Sequence, residues 1–161
     1  MYKNRSRGFT LIELLVVIAI IGILSAVVLA SLSTARSKSQ DAAIRSNMDS
    51  ARVQAELYYG DRDRNSYEEV CSVGGTENGI YTILIAAAKV LNGDNDLYRD
   101  GTNFSYSASG GEGSAVCHDS ATGWLAVISL KNDPGLGWCV DSTGVARKVE
   151  WIDGGDDVTC N

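Results

Sequence analysis

Between Glu13 and Arg36 the chain carries no charged residue. The segment Leu14-Leu15-Val16-Val17-Ile18-Ala19-Ile20-Ile21 is apolar on every helical face, the pattern of a helix that never meets water. A helix rises ~1.5 Å per residue, so the uncharged stretch spans roughly 33 Å, enough to cross a ~30 Å hydrocarbon core. After Ser33 the pattern changes. Ile44, Met48, Ala51, Ala55 and Tyr58 recur every three or four residues and define one buried stripe. Val53 and Leu57 fall on the opposite side, either as a face for neighbours or as scattered surface apolars. No proline precedes Pro134, and Gly22 is the only glycine between Thr10 and Tyr59. Gly60 suits the position just past a helix end, so the pattern predicts one helix from Thr10 to Tyr59.

Beyond it the elements are shorter. Asp61 to Ser66 reads as a polar turn, and Tyr67 to Cys71 as a short helix. Tyr81 to Leu91, with Ala86-Ala87-Ala88 at its centre, favours helix. Gly93 to Asp96 is a turn cluster. Phe104 to Ser107 alternates, and Trp124 to Leu130 is rich in β-branched residues; both predict strands. Trp138 to Asp141 and Val145 to Val149 flank Ser142-Thr143-Gly144, the pattern of a hairpin. Asp153 to Asp157 is a loop that closes at Cys160. These elements imply an α+β fold, with a long N-terminal helix packed on a small antiparallel β-sheet head.

Size and cysteines sharpen that picture. The chain has 161 residues, room for one modest domain beyond the helix. All four cysteines, Cys71, Cys117, Cys139 and Cys160, follow the helix. Lys3, Arg5 and Arg7 precede the apolar run, so the positive-inside rule places residues 1–8 in the cytoplasm and the remainder outside. That exterior is oxidising, and four cysteines there read as two disulfides with three possible connectivities. Cys71–Cys117 with Cys139–Cys160 is the favoured pairing, because neighbours then close loops without crossing. The full chain has a net charge of −6, and an acidic body argues against nonspecific nucleic-acid binding.

One acid breaks the rule of the first segment. Glu13 sits in an apolar run, where a carboxylate at depth costs on the order of 2.5–3.5 kcal/mol on insertion scales. An intramembrane acid is a functional residue by default and needs a partner. The nearest candidate is an α-amino group at Phe9, should the chain be cut before it. The stretch Gly8-Phe9-Thr10-Leu11-Ile12-Glu13-Leu14-Leu15-Val16-Val17-Ile18-Ala19-Ile20-Ile21-Gly22 resembles the leader and N-terminal helix of type IV pilins and pseudopilins. The resemblance covers about residues 1–35 closely and continues loosely to Tyr59. Ala30 stands where the family often has Pro.

The resemblance implies three segments: a cleaved leader over 1–8, a helix over 9–60 and a disulfide-stapled globular domain over 61–161. Within the helix, 9–35 would serve as transmembrane segment and filament core, and 36–60 would be amphipathic. It further implies a prokaryotic chain cut by prepilin peptidase between Gly8 and Phe9 and methylated on the Phe9 amine. Such a chain is a single-pass protein of the cytoplasmic membrane before assembly. The pilus machinery then stacks it with copies of itself or other pilins into a filament on the cell surface. Glu13 would pair with the Phe9 ammonium of an adjacent subunit and set the axial register. Two plainer readings compete. A secretory signal peptide cut after Val28-Leu29-Ala30 would have a shorter apolar core and no internal acid. A membrane-tethered extracellular binding module would need neither Glu13 nor Gly8-Phe9.

Catalysis finds little support. Cys117-His118-Asp119-Ser120 places triad residue types side by side, but triads are spatial and no nucleophile motif accompanies it; His118 reads as an exposed loop residue. No cofactor is expected. No cysteine pair has zinc spacing. Asp94, Asp96 and Asp100, or Asp153, Asp156 and Asp157, supply oxygen ligands of the kind calcium takes, yet neither set follows a calcium-loop pattern. Solvated acidic loops are the favoured reading of both.

Overall fold

The computed structural model describes residues 9–61, 65–72, 79–93, 98–111, 113–152, 154 and 157–161, with the backbone alone for 98–100. The chain divides into two compact units, residues 1–36 and 37–161. Helix α1, Leu11–Gly60, contributes to both. Helix α2 follows at Tyr81–Asn92, then strands β1 (Tyr98–Asp100), β2 (Ala115–Asp119), β3 (Trp124–Ser129), β4 (Gly137–Asp141) and β5 (Ala146–Val149). The fold is α+β, as the pattern of the chain predicts.

The large apolar side chains from Phe9 to Leu32 are exposed by 48–89%. Among the described residues this is the helix long and apolar enough to cross a membrane.

In the second unit α1 buries one stripe: Asp41, Ile44, Met48, Ala51, Ala55 and Tyr58. The spacing is that of a single helical face. Val53 and Leu57, on the other side, are exposed. The stripe packs with Leu84, Ala87, Ala88 and Leu91 of α2 and with one face of the sheet, through Ala115, Cys117, Trp124, Ala126, Ile128 and Val140. Full burial of a side chain the size of Ile44 or Met48 contributes ~1.5–3 kcal/mol. Helix α2 ends at Gly93, whose φ of 88° is left-handed and whose N–H donates to the Lys89 carbonyl, the geometry that favours glycine there.

The sheet runs in chain order, β1 to β5. Strands β2 to β5 form an antiparallel meander, whereas β1 lies parallel to β2. Its second face is covered too. Val116, Leu125, Val127, Cys139 and Val149 pack against Phe104, Ile152 and Cys160. Every residue of β3 is therefore buried. The segments around 101–107, 150–152 and 157–161 thus act as a third layer. This explains one departure from the expected elements. Phe104 to Ser107 is not a ladder strand; Phe104 makes a single antiparallel bridge to Ile152, because its ring is spent on the covering layer. Tyr67 to Cys71 forms turns rather than a helix. Strand β2 lies where no element was expected.

Two disulfides staple the second unit. Cys71 joins Cys117 with Cα atoms 5.8 Å apart, and Cys139 joins Cys160 at 5.9 Å. They close separations of 46 and 21 residues, worth roughly 3–4 kcal/mol each in the chain-entropy model. The first ties the turn after α1 to β2; the second ties the C-terminal residues to β4.

Candidate functional site

The candidate site is the start of α1. Gly8 lies outside the described residues. Phe9 is 89% exposed. Thr10 and Glu13 close a reciprocal cap on the first turn. The Thr10 N–H and hydroxyl both donate to Glu13 Oε2, at 2.9 and 2.8 Å. The Glu13 N–H lies 3.3 Å from Thr10 Oγ1 and donates to it. The first helical bond, Leu14 N–H to the Thr10 carbonyl, follows at 3.3 Å. A Thr followed three residues later by Glu, just before an apolar run, is the sequence signature of a capping box. The signature was there to be read in Thr10-Leu11-Ile12-Glu13, and it gives the acid a partner inside its own chain.

That pairing has two consequences. The carboxylate satisfies the Thr10 N–H, which would otherwise be orphaned, and it sits at the end of the helix where the peptide dipoles favour a negative charge. A carboxylate held this way is less costly in an apolar medium than a free one. Only Oε2 is used, so Oε1 is left able to accept from a further donor.

Elsewhere carboxylates do structural work. Asp41, 5% exposed on α1, accepts from the backbone N–H groups of Lys131 and Asn132 at 2.6 and 3.1 Å. Next to it, Gln40 donates to the Val90 carbonyl at 3.0 Å. Asp141 accepts from the Thr143 N–H, the Thr143 hydroxyl and the Val145 N–H through Oδ1, and from the Cys160 N–H through Oδ2. Asp119 accepts from the Cys71 N–H at 2.8 Å. No motif announces these roles.

The other candidates resolve as follows. His118 is not an exposed loop residue. It lies in β2, 2% exposed, because the C-terminal layer covers the face it occupies. Of the acidic residues considered for calcium, Asp94, Asp96, Asp153 and Asp156 lie outside the described residues. Asp100 is in β1. Asp157 turns its carboxylate to the N–H and hydroxyl of Thr159. Among the described residues no three His, Cys, Asp or Glu side chains gather as a metal would need.

Residues 3–29 match the model of the prokaryotic N-terminal methylation motif. The chain is similar to the type IV major pilin protein PilA of Myxococcus xanthus, with 34% identity over 65 residues, 40% of this chain and 30% of that one. It is also similar to the type IV wide pilus major component PilA4 of Thermus thermophilus, with 45% identity over 64 residues, 40% of this chain and 47% of that one. The matches thus span less than half the length of these relatives. No solved structure matches the chain. The methylation motif and the two pilin similarities make the N-terminal part of the chain similar to type IV pilins, and an apolar helix followed by a small sheet head is compatible with that likeness.

Proposed function

We propose that this chain is a structural subunit of a type IV pilus or a related filament. Prepilin peptidase cuts it between Gly8 and Phe9 and methylates the new Phe9 amine. The apolar half of α1 holds the subunit in the cytoplasmic membrane, with the head outside, until the assembly machinery extracts it. It then becomes the core of a filament built with copies of itself or other pilins. The observation that carries this reading is the bare apolar surface from Phe9 to Leu32, interrupted by the single acid Glu13. A surface of that size in contact with water marks a segment made for lipid or for like neighbours. Lipid and a filament core both satisfy it, in turn. Glu13 is the polar residue that needs a partner in both settings. Thr10 supplies one within the chain, and the spare Oε1 is available to a neighbour's Phe9 ammonium.

The test is the mass of the N-terminus together with electron microscopy of the cell surface. The mature chain is expected to begin with methylated Phe9 and to be found in filaments. Gly8→Leu is expected to leave the leader attached and the chain in the membrane, since the peptidase must approach the backbone at that residue. Normal filaments from a Gly8→Leu strain would overturn the processing step.

A further inference from the structure

The single histidine of the chain has an unusual set of partners. His118 Nδ1 lies 2.9 Å from the Asp157 carbonyl oxygen, and Nε2 lies 2.6 Å from the Thr102 carbonyl oxygen. Both partners are acceptors only. A neutral imidazole has one N–H, and its second nitrogen is a lone pair. In that form one of the two contacts sets lone pair against lone pair. The ring is 2% exposed, so bulk water does not relieve it. The imidazolium, with two N–H groups, donates to both carbonyls, and bonds from an ionised donor are roughly twice as strong as neutral ones.

The two carbonyls belong to the two segments that cover the outer face of the sheet. Thr102 precedes the Phe104–Ile152 bridge, and Asp157 precedes the Cys139–Cys160 disulfide. We propose that His118 is a proton-operated clasp that fastens the described C-terminal residues, 150–152 and 157–161, and the segment after β1 to each other and to β2. Uptake of one proton from solvent tightens the layer, and its loss removes one of the two bonds. Trp151, 60% exposed, rides on the clasped segment, so the clasp governs how firmly that surface is presented. The proposal is independent of the assembly reading.

The charged groups of the elements packed around the ring are placed as follows. Asp141 shares a row with His118 through Leu125, about 10 Å away at two strand spacings, and its carboxylate holds the Cys160 N–H. The Asp157 carboxylate is turned to Thr159. Asp119 lies on the other face with the Cys71 N–H. Arg147 lies on β5 opposite Cys139, and Arg99 and Asp100 are at the register positions of Val116 and Cys117. Glu150 is exposed at the start of the C-terminal segment; Asp153 and Asp156 of that segment lie outside the described residues.

With only one histidine, ring-15N histidine labelling of the full chain in detergent gives signals that need no assignment. Spectra and amide exchange are recorded at about pH 5 and about pH 8, either side of the range in which histidine titrates. Both ring nitrogens are expected to carry protons at the lower pH. The amides of Phe104 and Cys160, corrected for intrinsic exchange, should then be about tenfold or more better protected than at the higher pH, the effect of one charge-assisted hydrogen bond. His118→Gln, which does not titrate, should show no such difference. A ring still neutral at about pH 5, equal protection of the wild-type amides at both values, or a Gln variant that follows the wild type would each overturn the clasp. The first two readings need only the wild-type chain, so they decide the matter even if the variant does not fold.

Discussion

Replacing Asp41 with alanine removes the acceptor of two backbone N–H groups at once. The donors, Lys131 and Asn132, start the connection between β3 and β4, and they reach the carboxylate at 2.6 and 3.1 Å. Asp41 is only 5% exposed. Leaving a buried donor unsatisfied costs ~1–3 kcal/mol, and bonds to a charged acceptor lie at the upper end. Two such donors imply a loss of roughly 2–5 kcal/mol, against a whole stability of ~5–15 kcal/mol for a domain of this kind. Asp41→Asn separates shape from chemistry. It keeps the volume but offers one acceptor and one NH2, which faces a backbone donor, so it should recover less than half of the loss. Urea unfolding of the detergent-solubilised chain, followed by the far-UV signal, measures both variants, with the exposed neighbour Ala42→Ser as control. Loss below ~0.5 kcal/mol for Asp41→Ala, the range of ordinary surface substitutions, would refute the idea that this carboxylate fixes the β3–β4 connection to α1.

Gly137→Ala should destabilise the second unit by ~1–3 kcal/mol through overpacking, since an added Cβ would lie 2.5 Å from Phe104 Cζ and 2.7 Å from Val127 Cγ2; wild-type urea stability would contradict it. Burial first, and then the 2.9 Å hydrogen bond to Glu56, push the Tyr67 phenol up to about 12; because this lies above the unfolded value of ~10, the neutral phenol stabilises the fold below about pH 10 and that contribution is lost as pH rises towards 12. An absorbance titration should show the Tyr67 phenol ionising late, and Glu56→Gln should move it earlier without restoring the ordinary value.

How much of this could be read from residues alone depended on the range of the interaction. Helix α1 was legible because its cause is local: no proline, one glycine, and a 3.6-residue stripe ending at Tyr58 before Gly60. Helix α2 and the β4–β5 hairpin were legible for the same reason. Strand β2 was not. Ala115-Val116-Cys117-His118-Asp119 contains one strong strand former, Val116, and the segment is a strand because neighbours pair on both sides. The mistaken exposure of His118 follows from that miss, since burial of its face depends on a segment some forty residues later in the chain. Phe104 failed as a ladder strand for a related reason: its alternation with Tyr106 is real, but Phe104 packs on the sheet instead of extending it. Asp41, Asp119 and Asp141 look like ordinary surface acids. Their roles exist only once a loop has brought backbone N–H groups to them. At the functional end, Gly8, Phe9 and Glu13 were legible as a motif, while the Thr10 partner of Glu13 was written in the same four residues as a cap.

That cap changes how the role of Glu13 must be tested. Glu13→Ala is expected to be cut and inserted normally, because an apolar residue costs less in the membrane than an acid. Assembly should fail, since the Phe9 ammonium would enter the filament core without a counter-charge. Losing one member of a buried pair costs ~3–5 kcal/mol, repeated at every added subunit. Yet alanine also removes the acceptor of the Thr10 N–H and hydroxyl, so an alanine defect alone does not tell charge from capping. Glu13→Gln does. Glutamine serves at the third position of a capping box as glutamate does, so the helix start is preserved while the charge is gone. Thr10→Val is the converse: the charge stays and the side-chain half of the cap is lost, at about 1 kcal/mol. If the ion pair sets assembly, Glu13→Gln should accumulate as processed monomer in the membrane, and Thr10→Val should still build filaments, in reduced number. Filaments of normal number and length from Glu13→Gln, with failure of Thr10→Val, would show that the acid acts on its own helix and not on a neighbour, and the registry role would fall.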